Sequence, residues 1–237
     1  EHQKEEHSGA SFEISFGTEI SDKIKFLKQN KNYTEFNIFY SALCLVMQWY
    51  TKSENMCIGT PVSGRTHPIT EDLMGLFVNT VALKSKIGPK DTYSSVMKFH
   101  ESMMKDVLDH QIYPYDLFVE KIMLGNNAFD MMFSYQEIDS MPVSSDMKVE
   151  AYKAPKYTSK FNMSILITRE NGEYKMLTEY KTNLYSSGTI ELFSERLKEF
   201  LLYSLDHIDN PTDALYDFLN TLFIQEEETE LEFSFNF

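Results

Sequence analysis

The chain reads as an α/β protein: a mixed sheet with flanking helices. Three observations carry this. Several short apolar runs alternate with period two and end at Gly, Pro, Asn or Ser, the pattern of strands with one buried face. Between them lie longer runs whose apolar residues recur at three and four, the pattern of amphipathic helices. Finally, a length of 237 residues with 42% hydrophobic and 14% aromatic content is enough for a substantial core.

In chain order, Phe12, Ile14 and Phe16 alternate with polar residues and make a short strand that stops at Gly17. A helix follows over 18–30, with Ile20, Ile24 and Leu27 on one stripe. Thr34 is placed to cap a second helix running to Tyr50. Its stripe of Phe36, Phe39, Leu43, Val46 and Tyr50 is widened by Ala42 and Leu45, so this helix should be buried over most of its circumference.

Two strands are expected next, over 56–62 and 76–83, around a loop of Ser63, Gly64, Arg65, Thr66, His67 and Pro68. On the second strand Phe77, Asn79, Val81 and Leu83 share a face. Asn79 is therefore an amide on an apolar face. Such a group must find hydrogen-bond partners, so it either ties down a neighbouring loop or lines a polar cavity.

After Gly88 and Pro89, Asp91 is expected to cap a helix to about Asp109, with Val96, His100, Met103, Val107 and Leu108 inward. His100 reads as a packed histidine, since no partner motif lies near it. Pro114 breaks the helical pattern and starts a short helix over 115–123. A strand is expected over 129–136. The runs 161–169 and 174–181 meet at Asn171-Gly172, a hairpin signal because both residues tolerate positive φ. An amphipathic helix over 187–207 is marked by Phe193, Leu197, Phe200, Leu201 and Ile208, and a short helix over 213–223 closes the pattern.

Two stretches stand apart. Residues 140–160 carry Lys148, Lys153, Lys156 and Lys160, with an edge strand expected over 148–152. They read as a solvated edge or as a docking surface for an acidic partner. Residues 226–232 form an acidic run that should stay solvated.

The formal net charge of −14 argues against nucleic acid and against an anionic membrane surface as partners. There is no long apolar run. Cys44 and Cys57 both sit in apolar segments and read as buried free thiols, which points to a reducing cytoplasm. No Cys/His spacing fits a metal site. The hydrophilic start without a Met reads as the edge of a piece cut from a longer chain.

Several ordered motifs resemble the C-terminal half of a condensation domain from a nonribosomal peptide synthetase. Met74, Gly75, Leu76, Phe77, Val78, Asn79 and Thr80 match the family's (I/V)-G-x-F-V-N-T string, with Met in the first place. Its V-N-T favours condensation over the related epimerisation domains. His110, Gln111, Tyr113 and Pro114 match H-Q-D-(Y/V)-P-F-E, with Ile112, Tyr115 and Asp116 departing. Phe129, Asp130, Met132, Phe133 and Gln136 match F-D-V-M-F-x-x-Q, whereas the R-D-x-S-R-N-P-L string just before is poorly kept.

The resemblance implies one lobe of a chloramphenicol-acetyltransferase-like fold over 12–211. It also implies a flexible segment over 1–11 and a linker over 212–237 toward an adenylation domain. The implied reaction is amide-bond formation between thioesters borne on phosphopantetheine arms of peptidyl carrier proteins, in the biosynthesis of antibiotics and other secondary metabolites. The family's H-H-x-x-x-D-G motif is not found here: none of His2, His7, His67, His100, His110 and His207 are adjacent. No catalytic residue is therefore assigned, and the chain taken alone is expected to be inactive.

The resemblance makes Gly64, Arg65, Asn79, Thr80 and Gln136 tunnel-lining or lobe-bridging residues, and His110, Gln111 and Pro114 a structural turn. A carrier-docking module without chemistry and a lobe of a related acyltransferase are the competing readings.

Overall fold

In a computed structural model, residues 8–31, 33–138 and 157–224 are described. Their six strands form one sheet: β1 (Gly9–Ser15), β2 (Asn55–Val62), β3 (Asn79–Lys86), β4 (Met131–Glu137), β5 (Met163–Glu170) and β6 (Glu173–Lys181), in the order β1-β6-β5-β4-β2-β3. β2 runs parallel to β4 and β4 parallel to β5; the other pairs are antiparallel. The sheet is mixed, as expected.

Six helices accompany it: α1 (Gly17–Lys31), α2 (Glu35–Thr51), α3 (Tyr93–Asp109), α4 (Tyr115–Lys121), α5 (Ser187–Asp206) and α6 (Thr212–Ile224). Alternate strand residues are buried: Met131 and Phe133 on β4, Met163, Ile165 and Ile167 on β5, and Tyr174, Met176, Thr178 and Tyr180 on β6. They share one core with α2, the helix buried over most of its circumference. Ile38, Leu43, Leu45 and Met47 point in different directions around it and all are fully buried. That is the all-round burial its sequence requires.

Local signals operate as written in several places. Thr34 Oγ1 accepts from the Asn37 N–H and caps α2. Asn171 and Gly172 take φ of 52° and 85° and join β5 to β6.

Elsewhere the structure corrects the reading. Residues 76–78 are not strand: β3 begins at Asn79, and Leu76 and Val78 are exposed. The cap of α3 is Thr92, in a capping box with Ser95, while the Asp91 carboxylate accepts from the Gly88 N–H at 2.7 Å. Leu108 is exposed, because the inward stripe of α3 fades in its last turn. Residues 129 and 130 precede β4, although the Phe129 side chain is buried.

α6 lies within the stretch read as linker. Leu215 and Leu219 are buried in the common core, Tyr216 OH donates to Gln48 Oε1 (2.8 Å), and Trp49 Nε1–H donates to Asn220 Oδ1 (3.0 Å). The expected edge strand over 148–152, Lys148, Lys153, Lys156 and the acidic run lie outside the described residues. No described helix is long and apolar enough to cross a membrane.

His100 is fully buried on the α2–α3 contact. Its Nδ1 bonds Ser41 Oγ (2.8 Å) and its Nε2 bonds Ser85 Oγ (2.7 Å), which ties α2, α3 and β3 together. The packed histidine expected from sequence is what the fold contains.

Candidate functional site

β2 and β3 pair in register from Asn55–Lys86 to Val62–Asn79, yet their connection is sixteen residues long, 63–78. Antiparallel neighbours need only two to five. A connection of that length usually serves something other than closing the hairpin.

It begins with a sharp turn. Gly64 has φ +66°, and a Cβ there would run into the carbonyl of Phe77. Only glycine lets the two ends of the loop pass this closely. Gly64→Ala is therefore expected to cost about 1–3 kcal/mol. A urea titration checks this, and an unchanged midpoint would contradict it.

Arg65 comes next and turns inward. Its guanidinium donates to the carbonyls of Thr70 and Leu73 and lies over the Phe77 ring, 4.4 Å from the centroid. His67 Nδ1 accepts from the Ile69 N–H and caps a single 3₁₀ turn, Pro68–Thr70. From this turn onward the loop presents apolar side chains to solvent: Ile69, Leu73, Met74, Leu76 and Val78 are exposed, Met74 completely.

Asn79 ends the loop. Both Nδ2 protons are used, on the carbonyls of Gln111 and Tyr113, each at 2.8 Å, and Oδ1 accepts from the Tyr115 N–H at 3.2 Å. Two of the partners lie in the α3–α4 turn and the third is the first residue of α4. Gln111 returns the contact: Oε1 accepts from the Gly64 N–H (3.3 Å) and Nε2 donates to the Leu108 carbonyl (2.9 Å). One clip thus holds the start of the loop, the start of β3 and the turn around Pro114.

Between them is a groove of about 290 Å³ lined by Gly64, Thr66, Phe77, Val78, Asn79, Gln111, Ile112 and Pro114. None of these residues titrates near neutrality. The amides of Asn79 and Gln111 are committed to the framework. The groove can offer shape and apolar wall; it has no acid or base of its own.

Of the residues singled out from sequence, Gly64, Asn79, Gln111 and Pro114 come together here. Arg65 braces the loop and does not line the groove. Thr80 is half-buried opposite Pro61, one residue out of phase with Asn79. Gln136 is exposed near the end of β4, opposite Thr168, away from the groove. His110 ends α3, with Nδ1–H donating to the Asp106 carbonyl at 2.8 Å.

Sequence reasoning missed Thr66, Phe77, Val78 and Ile112 as lining residues. Only the unbroken run of apolar residues through 76–78 hinted at them. Among the described residues no group of three or more His, Cys, Asp or Glu is arranged to hold a metal.

The chain resembles known proteins over nearly all its length. It is 25% identical over 234 residues to gramicidin S synthase 2 of Aneurinibacillus migulanus, covering 96% of this chain and 5% of that protein. To tyrocidine synthase 3 of Brevibacillus parabrevis it is 27% identical over 244 residues, covering 97% and 4%. The chain thus spans a small part of those relatives.

Among solved structures, holo-AB3403, a four-domain nonribosomal peptide synthetase bound to AMP and glycine, superimposes with a TM-score of 0.79 at 18% identity, over 89% of this chain and 18% of that one. The first condensation domain of the calcium-dependent antibiotic synthetase, in complex with a substrate analogue, gives a TM-score of 0.75 at 13% identity, over 87% of this chain and 48% of that one. These likenesses carry the fold. The sequence profile of the condensation domain matches residues 1–223, and on that match the chain belongs to the condensation-domain family.

Proposed function

We propose that the chain is the C-terminal lobe of a condensation domain in a nonribosomal peptide synthetase. The parent enzyme forms an amide by attack of an acceptor amine on a donor acyl thioester. Both substrates arrive on phosphopantetheine arms of peptidyl carrier proteins, and an adenylation domain acts beside it. This lobe shapes the cleft. The group that moves the proton belongs to an N-terminal lobe bearing H-H-x-x-x-D-G.

One observation carries the reading. The best-formed matched motifs build a groove with apolar walls and no titratable side chain, and beside it a braced loop holds Leu73, Met74 and Leu76 out to solvent. Such a surface is stable when another body covers it. The chain spans 48% of a solved condensation domain, which leaves room in that fold for a second lobe. The walls formed by Phe77, Val78, Ile112 and Pro114 suit an extended, largely apolar thioester arm. Proton transfer needs a titratable group against the reacting nitrogen, and the groove itself has none.

The experiment compares this chain with the same chain joined to its N-terminal lobe. Each is supplied with aminoacyl carrier proteins from the neighbouring modules, and amide formation is read by mass spectrometry. The two-lobed protein is expected to form the amide and the chain alone to form none. Turnover by the chain alone, or none by either protein, overturns the reading.

A further inference from the structure

A second cavity lies between α1 and the β5–β6 hairpin and shares no residue with the groove. Its volume is about 330 Å³. α1 contributes Asp22, Lys25, Lys28 and Gln29, whose spacings of three and four put them on one helix face. The hairpin contributes Arg169 and Tyr174, which are cross-strand partners on β5 and β6.

Two of the cations are held from behind. Glu35, the first residue of α2, is buried. Its carboxylate pairs with Lys28 and Arg169 and accepts from Tyr174 OH at 3.4 Å. A buried carboxylate that fixes two cations at a cavity wall leaves them ready for a ligand in front. Arg169 uses only Nη1, on Glu35 and Glu137; its Nη2–Nε edge bonds nothing among the described residues. Such an edge can grip two oxygens at once. Lys25 is exposed and forms no ion pair among the described residues.

Tyr135 supplies a further observation. It lies on β4, on the sheet face shared with Glu137 and Arg169. Its phenol oxygen is buried and bonds no described residue. Burial, with the charges of Glu35 and Glu137 beside it, raises this phenol well above its ordinary value, so it keeps its proton and stays a donor. A buried donor without an acceptor is costly and uncommon.

We propose that this cavity binds a phosphate monoester, its dianion held by Lys25, Lys28 and the open edge of Arg169, with the Tyr135 hydroxyl as the inner donor. Donors outnumber acceptors here: among the described lining residues Asp22 is the only carboxylate. A chain of net charge −14 repels anions on average, so this gathering of cations is a local exception. A tetrahedral oxyanion offers more acceptor oxygens than a carboxylate and matches the arginine fork. The volume lies at the low end for ligand pockets and leaves room for a small organic group. None of these binding residues lines the groove or is among the family matches, so the site stands apart from the condensation reading.

NMR titration of the 237-residue chain tests this, at slightly alkaline pH and at ionic strength matched with sodium chloride. The probes are inorganic phosphate, glycerol 3-phosphate and dimethyl phosphate. The first two are expected to give saturating amide shifts over residues 21–29 and 168–174. The singly charged diester should bind about tenfold more weakly. Lys25→Gln should weaken glycerol 3-phosphate about threefold, and Arg169→Lys and Tyr135→Phe about tenfold each. Lys25→Gln and Tyr135→Phe leave the ion pairs of Glu35 in place, so both variants should keep the wild-type urea midpoint.

Shifts that chloride reproduces, or an affinity unchanged in Lys25→Gln and Arg169→Lys alike, would overturn the site. Dimethyl phosphate binding as tightly as phosphate would overturn the dianion. An unchanged affinity in Tyr135→Phe would overturn the inner donor. Vesicles containing phosphatidic acid carry the same head group and are expected not to retain the chain, because its net charge opposes an anionic surface. Retention would overturn a free metabolite as the source.

Discussion

Asn79→Asp is expected to destabilise the chain by about 3 kcal/mol or more, with Asn79→Ala costing about 2–3 kcal/mol. The asparagine donates two protons to two carbonyls and accepts one N–H. Alanine leaves two carbonyls and one N–H in a half-buried turn without those partners. Aspartate has the same shape but no protons to give. At neutral pH it sets a carboxylate against the carbonyl oxygens of Gln111 and Tyr113, so repulsion replaces two attractions.

The ordering Asp worse than Ala is the informative part. A residue that merely filled space would show Asp close to Asn. Urea denaturation monitored by tryptophan fluorescence measures it, since Trp49 is the chain's one tryptophan and is buried in the core. Exchange at residues 110–115 should rise in both variants. A loss below about 0.5 kcal/mol in Asn79→Asp would show that the turn holds without the clip.

The second large effect is a loss of stability in mild acid that traces to His100. Burial holds its imidazole well below the usual histidine range, to about 3. Both ring nitrogens are already engaged, by Ser41 and Ser85. The groups facing it stay neutral through this window: burial pushes the Cys44 thiol up to about 12 and raises the Tyr40 phenol well above its ordinary value.

Above about pH 6.5 neither the folded nor the unfolded chain protonates this histidine. As pH falls below 6.5 the unfolded chain takes the proton and the folded chain does not. Stability is therefore lost at about 1.4 kcal/mol per pH unit from that side group, down to about pH 3. Between pH 6.5 and 5, above the ordinary carboxylate range, the slope of unfolding free energy should be steeper in the wild type than in His100→Phe by about one proton. The imidazole resonances of His100 should also stay in the neutral position at pH 5. Equal slopes, or a histidine that titrates near 6.5 in the folded protein, would contradict this.

Elements whose signals are local were legible in the sequence. α2 needed only its apolar stripe and Thr34; the β5–β6 hairpin needed Asn171 and Gly172. The helix after Pro114 followed from the ring's fixed φ. His100 was legible as a packed residue because a lone histidine on an apolar stripe has few other uses. The start of β3 was not legible. Residues 76–78 continue the apolar run of β3 as a strand would, but among the described residues no strand pairs with them, and backbone pairing, not side-chain pattern, defines a strand.

The sequence also left Asn79 with two roles, a tie or a cavity wall. The structure shows the tie: both amide protons and the amide oxygen are spent on the turn around Pro114.

What the chain's own order of residues determined was the α/β class, most element positions and the string of motifs that places it in its family. Periodicity, capping and turn chemistry act over a few residues and can be read there. What only the tertiary structure decided was direction: that Arg65 folds back onto carbonyls five and eight positions later, that Gln111 reaches Gly64, and that Thr80 and Gln136 lie apart from the groove. Those outcomes depend on which distant backbone groups arrive within hydrogen-bond reach. Packing across the sheet sets that, and no local pattern encodes it.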